Sequence, residues 1–140
     1  MDYASTTPLR EDVFEAMLPY FTKHFGNPGS VHAEGLQAKK VLDEARKSIA
    51  LGLQVHADEI VFTSGGTEAN NLAILGSLSA VEIANRLPNS DSRGMHIVTT
   101  NIEHSSVLEP IAELKKRGVS VTYVPVETNG IVDPQKIASA

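Results

Sequence analysis

An α/β fold, with a mostly parallel sheet and helices packed on it, is what this sequence predicts. Three observations carry that expectation. Short apolar runs rich in β-branched residues alternate with longer stretches of helical periodicity. Glycine and proline punctuate the joins between them. The composition, 41% hydrophobic and 21% charged over 140 residues, supplies enough apolar material for a real core.

The elements follow in order. Residues 11–26, EDVFEAMLPYFTKHFG, set Val13, Phe14, Met17, Leu18 and Phe21 at helical spacing, and Gly26 ends the run. Turn-rich GNPGS comes next. Ser30 is the expected cap of a second helix over residues 31–50, with Ala38, Val41, Leu42, Ala45 and Ile49 on one face. EIVFTS, residues 59–64, reads as a strand, Gly65 and Gly66 as a turn, and residues 67–87 as a helix. PNSDSRG, residues 88–94, has no periodicity and reads as a surface loop.

A second strand is expected over MHIVTT, residues 95–100, followed by a helix over residues 105–118. Ser106 and Glu109 have capping-box spacing, and Gly118 suits the helix end. VSVTYVPV, residues 119–126, is a third strand and ETNG a turn. Asp133 and Pro134 open one more helix, which stops almost as soon as it begins. Three or four strands with several amphipathic helices leave apolar faces that need more protein, so the chain reads as a piece of something longer.

Several function classes are excluded. Net charge is −5 with both signs interspersed, so nothing points to nucleic acid, and no apolar run is long enough to span a bilayer. The opening MDYASTTPLR has neither a secretory nor a transit pattern, which makes an intracellular location the expectation. With no cysteine, these residues can form no disulfide and no thiolate site. His24, His32, His56 and His96 show no metal-ligand spacing.

Two places carry candidate chemistry. Gly65 and Gly66 lie at the carboxyl end of a predicted strand, where parallel sheets bind ligands. The following helix start offers unpaired N–H groups and the positive end of its dipole, and Thr67 adds a hydroxyl, together an anion site. Neither a P-loop nor a dinucleotide fingerprint is present. A tight turn that binds nothing is the alternative. His104 follows the next strand and precedes a helix, on the same sheet edge; its imidazole can stack on a flat ring, move protons, or simply cap the helix. Residues 4–8 and 26–32 are polar loops that can contact a substrate or serve as plain turns.

Taken together, DYASTTP, AMLPYF, FGNPGSVHAEG, EIVFTSGGTEANNLAI, HIVTTNIEHSSVLEP and VTYVPVETNGIVD resemble the NifS/IscS-type cysteine desulfurases, pyridoxal-phosphate enzymes of the class-V aminotransferase family. The resemblance covers nearly the whole chain, in family order. It implies the large aspartate aminotransferase-like domain, with residues 1–30 as an amino-terminal segment and helix and residues 31–140 as the incomplete first part of that domain. It further implies that Gly66 and Thr67 hold the phosphate of pyridoxal 5'-phosphate, and that His104 stacks on its ring and takes part in proton transfer. Asn71 would stabilise the helix start.

The implied reaction removes sulfur from L-cysteine, giving alanine and an enzyme persulfide for iron–sulfur clusters or tRNA thiolation. A homodimer, a sulfur-acceptor scaffold protein and a cytoplasmic or mitochondrial-matrix location go with it. The Schiff-base lysine and the persulfide cysteine of that family lie later in the chain; the seven lysines here all sit on predicted helices or their ends. The residues around PNSDSRG look like a surface insertion relative to the family. A selenocysteine lyase or another class-V transferase is the near alternative, and a truncated, non-catalytic binding module the distant one.

Overall fold

The computed structural model describes residue 3, residues 5–84 and residues 94–140. The loop expectation at residues 88–93, the end of the helix expected to reach residue 87, and Ala4 of the opening segment lie outside the described residues. By contacts the chain divides into two compact units, Met1–Val61 and Phe62–Ala140.

The first unit is helical. Helix α1 (Glu11–Thr22) begins after Arg10, with acidic Glu11 and Asp12 in its positively polarised first turn. The expected apolar stripe forms but stays open: Phe14 is 48% and Phe21 67% exposed. Helix α2 (Ala33–Leu53) is capped by His32 rather than by Ser30, the His32 side chain accepting from the Gly35 N–H at 3.4 Å. Ser30 lies too far back to cap, because its own N–H donates to the Asn27 carbonyl and closes a turn before the helix starts.

That turn and the first turn of α2 touch backbone to backbone. A Cβ at Gly35 would lie 2.4 Å from the Ser30 carbonyl oxygen, and one at Gly26 would lie 2.2 Å from that of Glu34. Helix α2 ends at Gln54, in the left-handed region at φ 58°. A short 3-10 turn (Ala57–Glu59) then closes with Glu59 Oε2 accepting from the His56 N–H at 2.7 Å. The Arg46 guanidinium donates to the Ile60 carbonyl, fastening the segment after that turn onto α2.

The strand expected at residues 59–64 is absent. Ile60 has extended backbone (φ −90°, ψ 122°), but residues 59–64 form no strand, and the described ladder is that of residues 96–100 with residues 120–124. An apolar β-branched run supplies strand propensity; only a neighbour supplies the ladder.

The second unit holds the α/β core. Helix α3 (Gly66–Ala84) is followed by strand β1 (His96–Thr100), helix α4 (Ser105–Lys116), strand β2 (Ser120–Val124) and the short helix α5 (Pro134–Ala138). β1 and β2 are parallel, with Ile97 opposite Val121 and Thr100 opposite Val124, so the expected crossover unit is present with α4 as its connection. The described sheet has these two strands only.

Leu78, Leu114 and Val119 form the buried centre, with Ile74, Leu75, Met95 and Ile97 packed against them. Two helices, α3 and α4, and the sheet thus share one core. Gly118 takes φ +95° where α4 turns into β2, and Asp133 caps α5 by accepting from the Gln135 N–H at 2.9 Å, with Pro134 at the first helical position. No helix among the described residues is long and apolar enough to cross a membrane.

Candidate functional site

The candidate side chains sit where two helices of the second unit begin. Helix α3 starts directly at Gly66, so the N–H groups of Gly66, Thr67 and Glu68 belong to a first turn that has no intrahelical acceptor. No other group among the described residues takes them, and the Thr67 hydroxyl is likewise unpartnered there and exposed. A Cβ built on Gly65 or Gly66 would meet nothing within 4 Å, so the space beside this bare backbone is open.

The turn that leads in is tied by charge. Glu68 Oε2 accepts from the Ser64 N–H at 2.6 Å and from the Ser64 hydroxyl at 2.7 Å. Those two bonds, the backbone one first, hold the Glu68 carboxyl below the usual glutamate range. A carboxyl whose folded-state pKa is lowered stabilises the fold above its unfolded value and loses that contribution as pH falls through the folded one. We therefore expect the Ser64 amide resonance to move as pH drops below about 4, the ordinary glutamate region, and to stay put in Glu68→Gln. A midpoint at or above the ordinary value would contradict the tie. Asn71 sits one turn along, its side-chain amide donating to the Thr67 carbonyl at 2.9 Å.

The second helix start is built around His104. β1 ends at Thr100, whose buried hydroxyl donates to Glu103 Oε1 at 2.7 Å, and the Asn101 N–H reaches the Val124 carbonyl at 3.3 Å. These contacts carry the loop from the strand end to α4. His104 is the N-cap residue of α4: its Nδ1 accepts from the Ser106 N–H at 3.1 Å and lies 2.8 Å from the Ser106 hydroxyl. The cap is therefore an imidazole at 104, and the Ser106–Glu109 capping box does not form, because Ser106 already lies inside the helix. The capping reading of His104 holds, and it leaves Nε2 with no partner among the described residues on an exposed side chain.

The two starts share one cleft of about 390 Å³, lined by Thr67, Asn71, Leu75, Ser105, Ser106 and Glu109, among others. A hydrogen bond from Asn70 Nδ2 to Ser106 Oγ, 2.9 Å, joins α3 to α4 beside it. Thr67 and the residue that follows His104 are thus brought to one place. Asn70 and Ser106 were not singled out as a pair by sequence reasoning; the only signal was Asn70 lying one helical turn past Thr67 and Ser106 two residues past His104. No lysine lines the cleft. Lys115 lies over the Tyr123 ring and Lys116 pairs with Glu113, both at the far end of α4, while Lys136 on α5 pairs with Glu127.

Comparisons with known proteins show the family and the fold. A model of the aminotransferase class-V family matches residues 1–140. The cysteine desulfurase IscS of Dictyoglomus turgidum is 45% identical over 140 residues, covering all of this chain and 33% of that protein. A solved NifS-like protein superposes with a TM-score of 0.79 at 35% identity, covering 96% of this chain and 35% of the other. SspA, solved in complex with cysteine, superposes at 0.82 with 35% identity, covering 99% and 38%. The chain spans about a third of the length of the curated relatives it matches.

Proposed function

The chain belongs to the class-V aminotransferase family, whose members depend on pyridoxal phosphate, and on that premise we propose that it contributes the phosphate cradle and the ring-stacking histidine of a cysteine desulfurase. The observation that carries this reading is the cleft where the open first turn of α3 meets the His104-capped start of α4. IscS relatives at 45–46% identity support the activity, and the cysteine-bound SspA neighbour favours L-cysteine over other amino-acid substrates.

The donor set fits the cofactor's phosphate. Backbone N–H groups of Gly66, Thr67 and Glu68 and the Thr67 hydroxyl have no partner among the described residues, the helix dipole is positive there, and Gly65 and Gly66 add no side chain between backbone and anion. Glu68, the acidic residue of that first turn, has its carboxylate occupied by Ser64, while Glu109 and Glu113 of α4 also line the cleft. When bound, the cofactor supplies the electron sink that carbon–sulfur cleavage next to an amino group requires. In this chain Gly66 and Thr67 bind and orient. His104, pinned through Nδ1, offers a ring face for stacking and moves a proton at Nε2. The anchoring lysine and the sulfur-accepting cysteine come from residues other than these.

Within the complete enzyme, residues 1–30 form an amino-terminal segment and helix and residues 31–140 the first part of the large domain. It works as a homodimer, in the cytoplasm or the mitochondrial matrix, and passes sulfur to a scaffold protein.

The test is to mix the full-length protein with pyridoxal phosphate and then with L-cysteine. A visible absorbance band followed by sulfide release supports the reading, whereas absence of the band overturns it. Release from selenocysteine alone would assign the same residues to a selenocysteine lyase. A second test isolates the cradle. Gly66 has no positive φ and open space beside it, so Gly66→Ala is expected to hold or raise stability by about 0.5 kcal/mol while weakening cofactor retention. Thermal melts with and without pyridoxal phosphate separate the two effects. Equal cofactor-induced shifts in both proteins would place the phosphate elsewhere.

A further inference from the structure

Resting on the reading of His104 as the ring-stacking residue, we propose that Asn70 and Ser106 are positioning residues that fix the tautomer and the ring orientation of His104. The hydrogen-bond directions leave little freedom. A backbone N–H can only donate, so the His104 Nδ1 that faces the Ser106 N–H at 3.1 Å carries a lone pair, not a proton. The Ser106 hydroxyl, 2.8 Å from the same nitrogen, must therefore be the donor in that contact. Its oxygen is then free to accept, and the Asn70 side-chain amide donates to it at 2.9 Å.

The order runs amide to hydroxyl to imidazole, across two helices. It spans the core side of the cleft: Ser106 is buried, Asn70 half-buried, and His104 exposed. Bonds sheltered in this way hold their geometry better than exposed ones. In its neutral form the imidazole then carries its proton on Nε2, which has no partner among the described residues. The Ser106 N–H thus chooses the nitrogen available for chemistry, and the relay stops the ring from turning about its Cβ–Cγ bond. The same role falls to the group behind a catalytic or metal-bound histidine in many sites.

Ser106→Ala removes the hydroxyl, and Asn70→Asp reverses the relay at its origin. An aspartate accepts where the amide donated, so it draws the Ser106 proton away from His104 with almost no change of shape. The measurement is histidine ¹⁵N NMR on the full-length protein without cofactor, with the His104 signal assigned by its loss in His104→Asn. Steady-state kinetics on the pyridoxal-phosphate-loaded protein with L-cysteine accompany it.

In the parent, His104 should sit in the Nε2–H form. Both variants keep the backbone N–H on Nδ1 and so the Nε2–H form, but they should shift the Nδ1 resonance, which loses one of its two donors, and lose about ten- to a hundredfold in kcat, with KM and cofactor content little changed. Ser106→Thr, which keeps the hydroxyl, should restore both readouts. If His104→Ala abolishes turnover while Asn70→Asp and Ser106→Ala leave the Nδ1 resonance and kcat alone, the relay is overturned and the histidine's role survives. If His104→Ala leaves turnover intact, the underlying reading fails and the relay's role with it.

Discussion

Replacing His104 with alanine is expected to slow sulfide release by about 10²- to 10⁴-fold, the usual contribution of a positioned proton-transfer group, while the purified protein keeps most of its cofactor. The substitution also removes the cap of α4, because Nδ1 holds the Ser106 N–H. Loss of an N-cap costs about 0.5–2 kcal/mol, so part of any fall in activity could reflect a loosened helix. His104→Asn separates the two. Asparagine is a strong N-cap residue and should return the stability, yet it has no imidazole and should stay as slow as the alanine variant. Melting temperature reads the first property, sulfide release the second and the visible band the cofactor. An asparagine variant with native turnover would reduce His104 to a structural residue.

Thr67→Ala should do the reverse. Its hydroxyl is exposed at the first turn of α3, unpartnered among the described residues and beside the open backbone of Gly66. A hydrogen bond to a charged group is worth about 1.5–3 kcal/mol, so cofactor affinity should fall roughly 10- to 150-fold. Because that bond serves binding alike before and during reaction, kcat at saturating cofactor should stay near the parent value. Thr67→Ser should recover most of the affinity. Dialysis of the loaded proteins, followed by the visible band, measures retention directly. Parallel losses of retention and kcat in the Thr67 and His104 variants would mean that the two roles are not divided as proposed.

Much of this site could be read from residue order alone. SGGT before an amphipathic stretch marked an open helix start, and the histidine after HIVTT marked the end of a strand, because backbone chemistry and strand periodicity are local properties. The parallel pairing of β1 and β2 followed from the helix between them. What stayed hidden depends on partners that are distant in sequence. The Asn70–Ser106 bond joins residues 36 apart, and neither residue alone signals it. Cap identities failed for a related reason. Serine is the commoner cap at both Ser30 and Ser106, yet histidine stands at the cap position at His32 and His104, and at His104 an unprotonated ring nitrogen accepts an N–H as well as a hydroxyl oxygen does. The EIVFTS run had every local mark of a strand, but a ladder takes two.

The meeting of residues 26–30 with the opening of α2 has a consequence for anyone altering this chain. Where Gly26 and Gly35 face carbonyl oxygens at 2.2 and 2.4 Å from any added Cβ, the nearest atoms are main chain, which cannot swing aside. A saturation library at either position should therefore return glycine almost alone. Asn27 and Pro28, on the outer rim of the same bend, are the better places for a dye or a crosslinker.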